Sequence, residues 1–86
     1  MCTYATFSER VDGSAKGPQG HWFHVTDATV YYDHPVHAMA DHTLNIDLAD
    51  PSRGPGARVG VELTRESATR LVRAMEQALA SAPEGV

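Results

Sequence analysis

The sequence predicts an α+β domain in which an antiparallel sheet of four to five strands is covered on one face by a single C-terminal helix. Two observations carry this prediction. Apolar and polar residues alternate through much of residues 2–63, and apolar residues recur every three or four positions over residues 65–82. At 86 residues the chain has room for one domain, residues 1–86.

The first half of the chain has the composition of β-strands. The first predicted strand covers residues 2–11, and the polar, glycine-rich residues 12–20 predict a loop. Residues 22–32 are also β-rich, but their apolar parity changes near Thr26 and Asp27. A bulge or tight bend would explain this change, so we expect either one bent strand or two short ones.

The next two strands are predicted to form a hairpin. Residues 42–48 and 57–63 alternate, and residues 50–56 between them contain two Pro and two Gly. Residues 33–41 have no clean period and contain Pro35, which predicts a loop. In the third strand we expect the side chains of Leu44, Ile46 and Leu48 to point into the core. Those of Thr43, Asn45 and Asp47 should point to solvent.

A helix is predicted over about residues 65–82. Thr64 is a suitable N-cap, because its hydroxyl can accept a first-turn amide, and Glu66 favours the positive end of the helix dipole. Pro83 ends the helical pattern. The apolar stripe expected to pack on the sheet contains Ala68, Leu71, Val72, Met75, Leu79 and Ala82.

The composition argues against two classes of partner. Seven Lys and Arg residues stand against eleven Asp and Glu, a net charge of −4, so the chain lacks the basic surface that nucleic acids and anionic membranes attract. No apolar run approaches the roughly 20 residues of a membrane-spanning helix. Residues 1–13 do not have the pattern of a signal peptide, and Cys2 is the one cysteine, so we expect a cytoplasmic protein.

Five histidines lie between residues 21 and 42. His34 and His37 form an H-x2-H pair, and His42 follows five residues later. Neutral imidazoles are common ligands of zinc, copper, iron and nickel. The leading hypothesis is therefore a transition metal ion bound by His34, His37 and His42. Such a site would be catalytic if a coordination position stayed open, most simply at a homodimer interface.

Further ligands for such an ion are Cys2, His24 and Asp33. If the initiator methionine is removed, Cys2 carries an amine beside its thiol, and this pair can chelate a soft metal or act as a nucleophile. The alternative for Cys2 is a small, half-buried thiol at the start of a strand. The alternatives for the histidines are a structural or pH-sensing cluster and unrelated surface positions.

Two other functions stay open at this point. One is a non-enzymatic interaction module, whose aromatic sheet face pairs with a second copy or another protein. The other is a small-ligand binder that uses the same aromatic residues as a pocket. A chain this short buries only about 60–65% of its unfolded surface, which favours a homo-oligomer such as a dimer. The candidate aromatic residues are Tyr4, Trp22, Tyr31 and Tyr32.

The segments DHPVHAMADHTLNID and ARVGVELT, with the start MCTY and the pair Trp22-Phe23, resemble a family of short bacterial proteins of unknown function. The resemblance extends over nearly the whole chain and implies no particular reaction. In the family pattern Gly, Trp and Phe are contiguous and a proline follows, whereas here His21 is inserted and His24 stands at the proline position. The positions that match the pattern are His34, His37, His42 and Cys2.

Overall fold

The computed structural model describes residues 5–86 and contains a four-stranded sheet followed by a helix. The elements are β1 (Ala5–Lys16), β2 (Trp22–Asp33), β3 (Thr43–Ala49), β4 (Arg58–Leu63) and α1 (Arg65–Ser81). Because α1 packs on β3 and β4, the predicted α+β class is confirmed. The predicted roles of Cys2 and Tyr4 lie outside the described residues.

The sheet is an antiparallel meander in the order β1-β2-β3-β4. Directly paired residues of antiparallel strands point to the same face, so the register defines two faces. The apolar face carries Phe7, Val30, Ile46 and Val61 in one row, and Tyr32, Leu44 and Leu63 in the next. The polar face carries Tyr31, Asn45 and Glu62 in one row, and Thr29, Asp47 and Gly60 in the next.

The first hairpin is longer than predicted. β1 extends to Lys16, so the loop predicted over residues 12–20 is wrong in its first part. The Asp12-Gly13 dipeptide, which suggested a turn, lies at a β-bulge across from Thr26. The bulge expected near Thr26 and Asp27 therefore lies in the adjacent strand β1. β2 itself is one continuous strand. The chain reverses at Pro18–Gly20.

The hydrophobic core is small and contains Phe23 and Val25 of β2. Both are buried together with Ala57, and Leu48 packs against them, as predicted for that residue. Gly17 allows the Phe23 ring to approach closely, since a Cβ at residue 17 would lie 3.0 Å from the ring. The best-packed part of the molecule is therefore the end of the sheet near the first turn.

The predicted orientation of β3 is wrong at the start of the strand. Thr43 is fully buried and Asn45 nearly so, whereas Leu44 and Ile46 are only half-buried. The Thr43 hydroxyl donates to Asn45 Oδ1 at 2.7 Å, which satisfies both buried groups. This inversion arises because the loop after β2 lies against the polar face at residues 36–38, while α1 covers only part of the apolar face.

The helix begins as predicted and then leaves the sheet. The hydroxyl of the N-cap Thr64 accepts the amide of Ser67 at 3.2 Å, and the first two turns lie over Tyr32 and Leu44. The exposed fraction of the apolar stripe then rises along the helix, from 7% at Ala68 to 41% at Leu71, 57% at Met75 and 78% at Leu79. Most of the stripe expected to pack on the sheet is therefore uncovered in the single chain. No helix within residues 5–86 is long and apolar enough to cross a membrane.

Candidate functional site

Two of the predicted ligand histidines come together between β2 and β3. The His34 and His42 rings stack with their centroids 4.5 Å apart, and His42 also stacks on Tyr32 at 6.0 Å. His34 Nδ1 lies 2.8 Å from the carbonyl oxygen of Asp41. The side chain of Asp33 accepts the backbone N–H of His34, which orders the start of the loop. The contacts between the two rings are thus face to face.

The other predicted ligands lie elsewhere. His24 Nε2 is 3.3 Å from the carboxylate of Asp12, and ten residues of extended strand place His24 roughly 33 Å from His34. His37 lies at the polar face, beside Glu62. Within the described range 5–86, no group of three or more His, Cys, Asp or Glu side chains is placed to hold a metal ion. The metal site at His34, His37 and His42 stays a prediction.

Glu62 fixes the β2–β3 loop to the polar face. Its carboxylate accepts the backbone N–H of Val36, of His37 at 3.0 Å and of Ala38 at 2.9 Å. Consecutive amides that converge in this way form an anion-binding concavity, and here the protein's own side chain occupies it. The bonds from Val36, and then from His37 and Ala38, lower the pKa of Glu62 because they favour its charged form.

An open pocket of about 680 Å³ lies on the polar face, between the loop that Glu62 holds and the β3–β4 turn. Gly60 keeps part of its floor clear, since a Cβ there would lie 3.3 Å from Asp47 Oδ1. The residues of the floor are Tyr31, Asn45, Asp47 and Arg58, and the walls include Val36, His37, Ala38 and Pro55.

Asp47 organises the pocket floor. Arg58 Nη2 donates to Asp47 Oδ2 at 2.7 Å and Arg58 Nε donates to Oδ1 at 3.3 Å, a two-point pairing. Burial, then the charge of Asp47 and a hydrogen bond to it, raise the pKa of Tyr31, so its hydroxyl stays protonated and donates. The bond with Asp47 also raises the pKa of Arg58. The floor therefore holds a carboxylate between a phenol and a guanidinium.

The sequence pattern did not identify this pocket. It placed Tyr31 with Trp22 and Tyr32 on one aromatic face, which is wrong because successive residues of a strand point to opposite faces. Tyr32 lies under α1, and Trp22 lies at the far end of β2, where Lys16 Nζ is 5.6 Å from its ring. A usable signal was the opposite charge of Asp47 and Arg58 on the two strands of the predicted hairpin.

Comparison with known proteins identifies a family for this chain but no function. No curated protein and no solved structure matches the chain. A family model matches residues 1–86, so the similarity extends over both faces of the sheet and the helix. The protein belongs to the family of unknown function DUF6295.

Proposed function

We propose that this protein binds a small organic molecule in the pocket of the polar face. The observation that carries the proposal is the floor, where Arg58 binds Asp47 at two points beside Tyr31. The volume of about 680 Å³ is in the usual range for small-molecule sites, about 300–1,000 Å³. A loop held by three backbone hydrogen bonds to Glu62 supplies a preformed wall.

The chemistry of the lining favours an uncharged ligand. Arg58 pairs with Asp47, and the charge of Glu62 is satisfied by three amides, so neither carboxylate needs an external cation. Within residues 5–86, Arg58 uses Nε and Nη2 for Asp47, which leaves Nη1 to donate to a ligand. A carbonyl or amide oxygen would accept there, and the apolar part of the ligand would contact Val36 and Pro55.

The test is a fragment screen on the ¹⁵N-labelled full chain with three sets matched in size: neutral amides and lactams, carboxylates, and primary amines. The neutral set should shift the amide signals of Ala38, Asn45 and Gly60. For a fragment that binds, Arg58→Met should weaken affinity about tenfold, the equivalent of roughly 1.4 kcal/mol.

The matched control is Arg10→Met, which removes an exposed arginine of β1 that does not line the pocket. It should leave affinity unchanged. Shifts confined to residues outside the pocket, or equal losses in the Arg58 and Arg10 variants, would show that the pocket is not the binding site.

A metal site in the β2–β3 loop is a second candidate that one observation favours. Metal-binding histidines usually donate their second ring N–H to a carbonyl or carboxylate, and His34 Nδ1 has such a partner in Asp41. Elemental analysis of untagged protein, purified without chelator, tests it. His34→Ala should remove the metal and His24→Ala should not. A metal-free chain after incubation with zinc, copper, nickel and ferrous iron would end this candidate.

A further inference from the structure

The single chain exposes more surface than a folded monomer of its mass. Its accessible surface is 6610 Å² at 9.3 kDa, where about 5,000 Å² is expected. The radius of gyration is 14.2 Å, where about 12 Å is expected for a chain of this length. The excess of roughly 1,600 Å² is larger than the roughly 800 Å² that each partner buries in a stable complex.

Much of the uncovered apolar surface lies on the side of the sheet from which α1 departs. Phe7 of the apolar face is 70% exposed, and Val61 of the same row is also exposed. The exposed members of the helix stripe are Leu71, Val72, Met75 and Leu79. Large exposed apolar patches of this kind mark interaction sites.

The spacing of the exposed apolar stripe identifies the partner. Leu71 and Leu79 lie four residues before and after Met75, and all three side chains are exposed. The stripe is therefore symmetric about Met75. Two such helices in antiparallel orientation place Leu beside Leu on either side of the axis, which is the self-complementarity that a two-fold interface requires.

We propose that a second copy of this chain covers the helix, with the two α1 helices packed antiparallel about a two-fold axis near Met75. In this arrangement Leu71 of one copy lies opposite Leu79 of the other. Met75 of each copy then faces the axis, and the apolar stripe of one helix packs along the stripe of the other. The interface is separate from the pocket of the polar face, and its test is independent of ligand binding.

The first test is sedimentation equilibrium of the untagged full chain over a concentration series. The wild-type chain should be a dimer. Leu79→Asp should raise the dimer dissociation constant about a hundredfold or more, because it places a charge in the apolar seam. Leu79 is mostly exposed in the single chain, so the fold of the monomer does not depend on it. Gln77→Asp, on the opposite side of the same helix turn, is the matched control and should leave the constant unchanged.

The second test is disulfide cross-linking in a Cys2→Ser background. Met75→Cys should form a disulfide-linked dimer on oxidation, because the two copies of residue 75 face each other at the axis, and Gln77→Cys, on the opposite side of the helix, should not. A wild-type chain that stays monomeric at about 100 μM, far above the dissociation constants of stable dimers, overturns the proposal. So does a dimer that Leu79→Asp does not weaken, and a Met75→Cys chain that does not cross-link overturns the antiparallel arrangement.

Discussion

The two faces of the sheet are covered in opposite ways. On the polar face, Glu62 holds residues 36–38 of the β2–β3 loop with three backbone hydrogen bonds, and Thr43 after the loop is buried. On the apolar face, α1 packs at one end and then departs, so Leu79 is mostly exposed. Burial in this protein therefore follows the path of the covering segment more closely than the polarity of each residue.

The difference between the faces separates the two functions that we propose. The polar face is completed by the chain itself, which forms a walled pocket with a fixed floor. The apolar face is incomplete in one chain, and it is the surface that we propose a second copy covers. Ligand binding and assembly would accordingly respond to different substitutions, and the following predictions test this separation.

The largest effect is expected from Phe23→Ala. Phe23 is buried beside Val25 and Ala57, and loss of a buried aromatic ring usually costs about 3–5 kcal/mol. Phe7→Ala, on the open apolar face, should cost less than about 1 kcal/mol in the monomer. Urea unfolding followed by circular dichroism, at a concentration where the chain is monomeric, measures both. Equal costs would mean that the apolar face is more completely packed than its exposure indicates.

An intermediate effect is expected from Glu62→Gln, which removes the charge that holds the β2–β3 loop. Amide exchange at Val36, His37 and Ala38 should accelerate, while Glu9→Gln on β1 serves as the control. Because the pKa of Glu62 is lowered from 4.5, its contribution is fully present above the ordinary value and is lost as pH falls through the lowered pKa. Wild-type exchange at these amides should therefore approach that of the variant only in acid. If Glu62→Gln left exchange unchanged, the loop would be held by other contacts.

The smallest effect on stability is expected from Asp47→Asn. More than half of the Arg58 side chain is exposed, so solvent screens the pair and its loss should cost less than about 1 kcal/mol. The pKa of Tyr31 should fall toward 10.0 but stay above it, because burial is the largest cause of its increase. Absorbance titration, with Tyr31→Phe to identify the signal, measures this change. If the pKa of Tyr31 were the same in Asp47→Asn as in the wild type, Asp47 would not interact with Tyr31 on the pocket floor.

The sequence by itself determined the local structure. Alternation predicted the hairpin of β3 and β4, the period of the last segment predicted α1, and Thr64 marked its first turn. These features depend on residues close together in the chain, so their propensities add up within one segment. The family assignment also agrees with the resemblance that the sequence motifs indicated.

Only the tertiary structure decided which of these residues are buried and which meet. The bulge at Asp12-Gly13 depends on pairing with β2, and the distance between His24 and His34 depends on a strand that does not break. The pocket depends on a contact between Glu62 and a loop more than 20 residues earlier in the chain. Such contacts are set by strand register and by the route of a loop across a face, and neither is encoded in local periodicity.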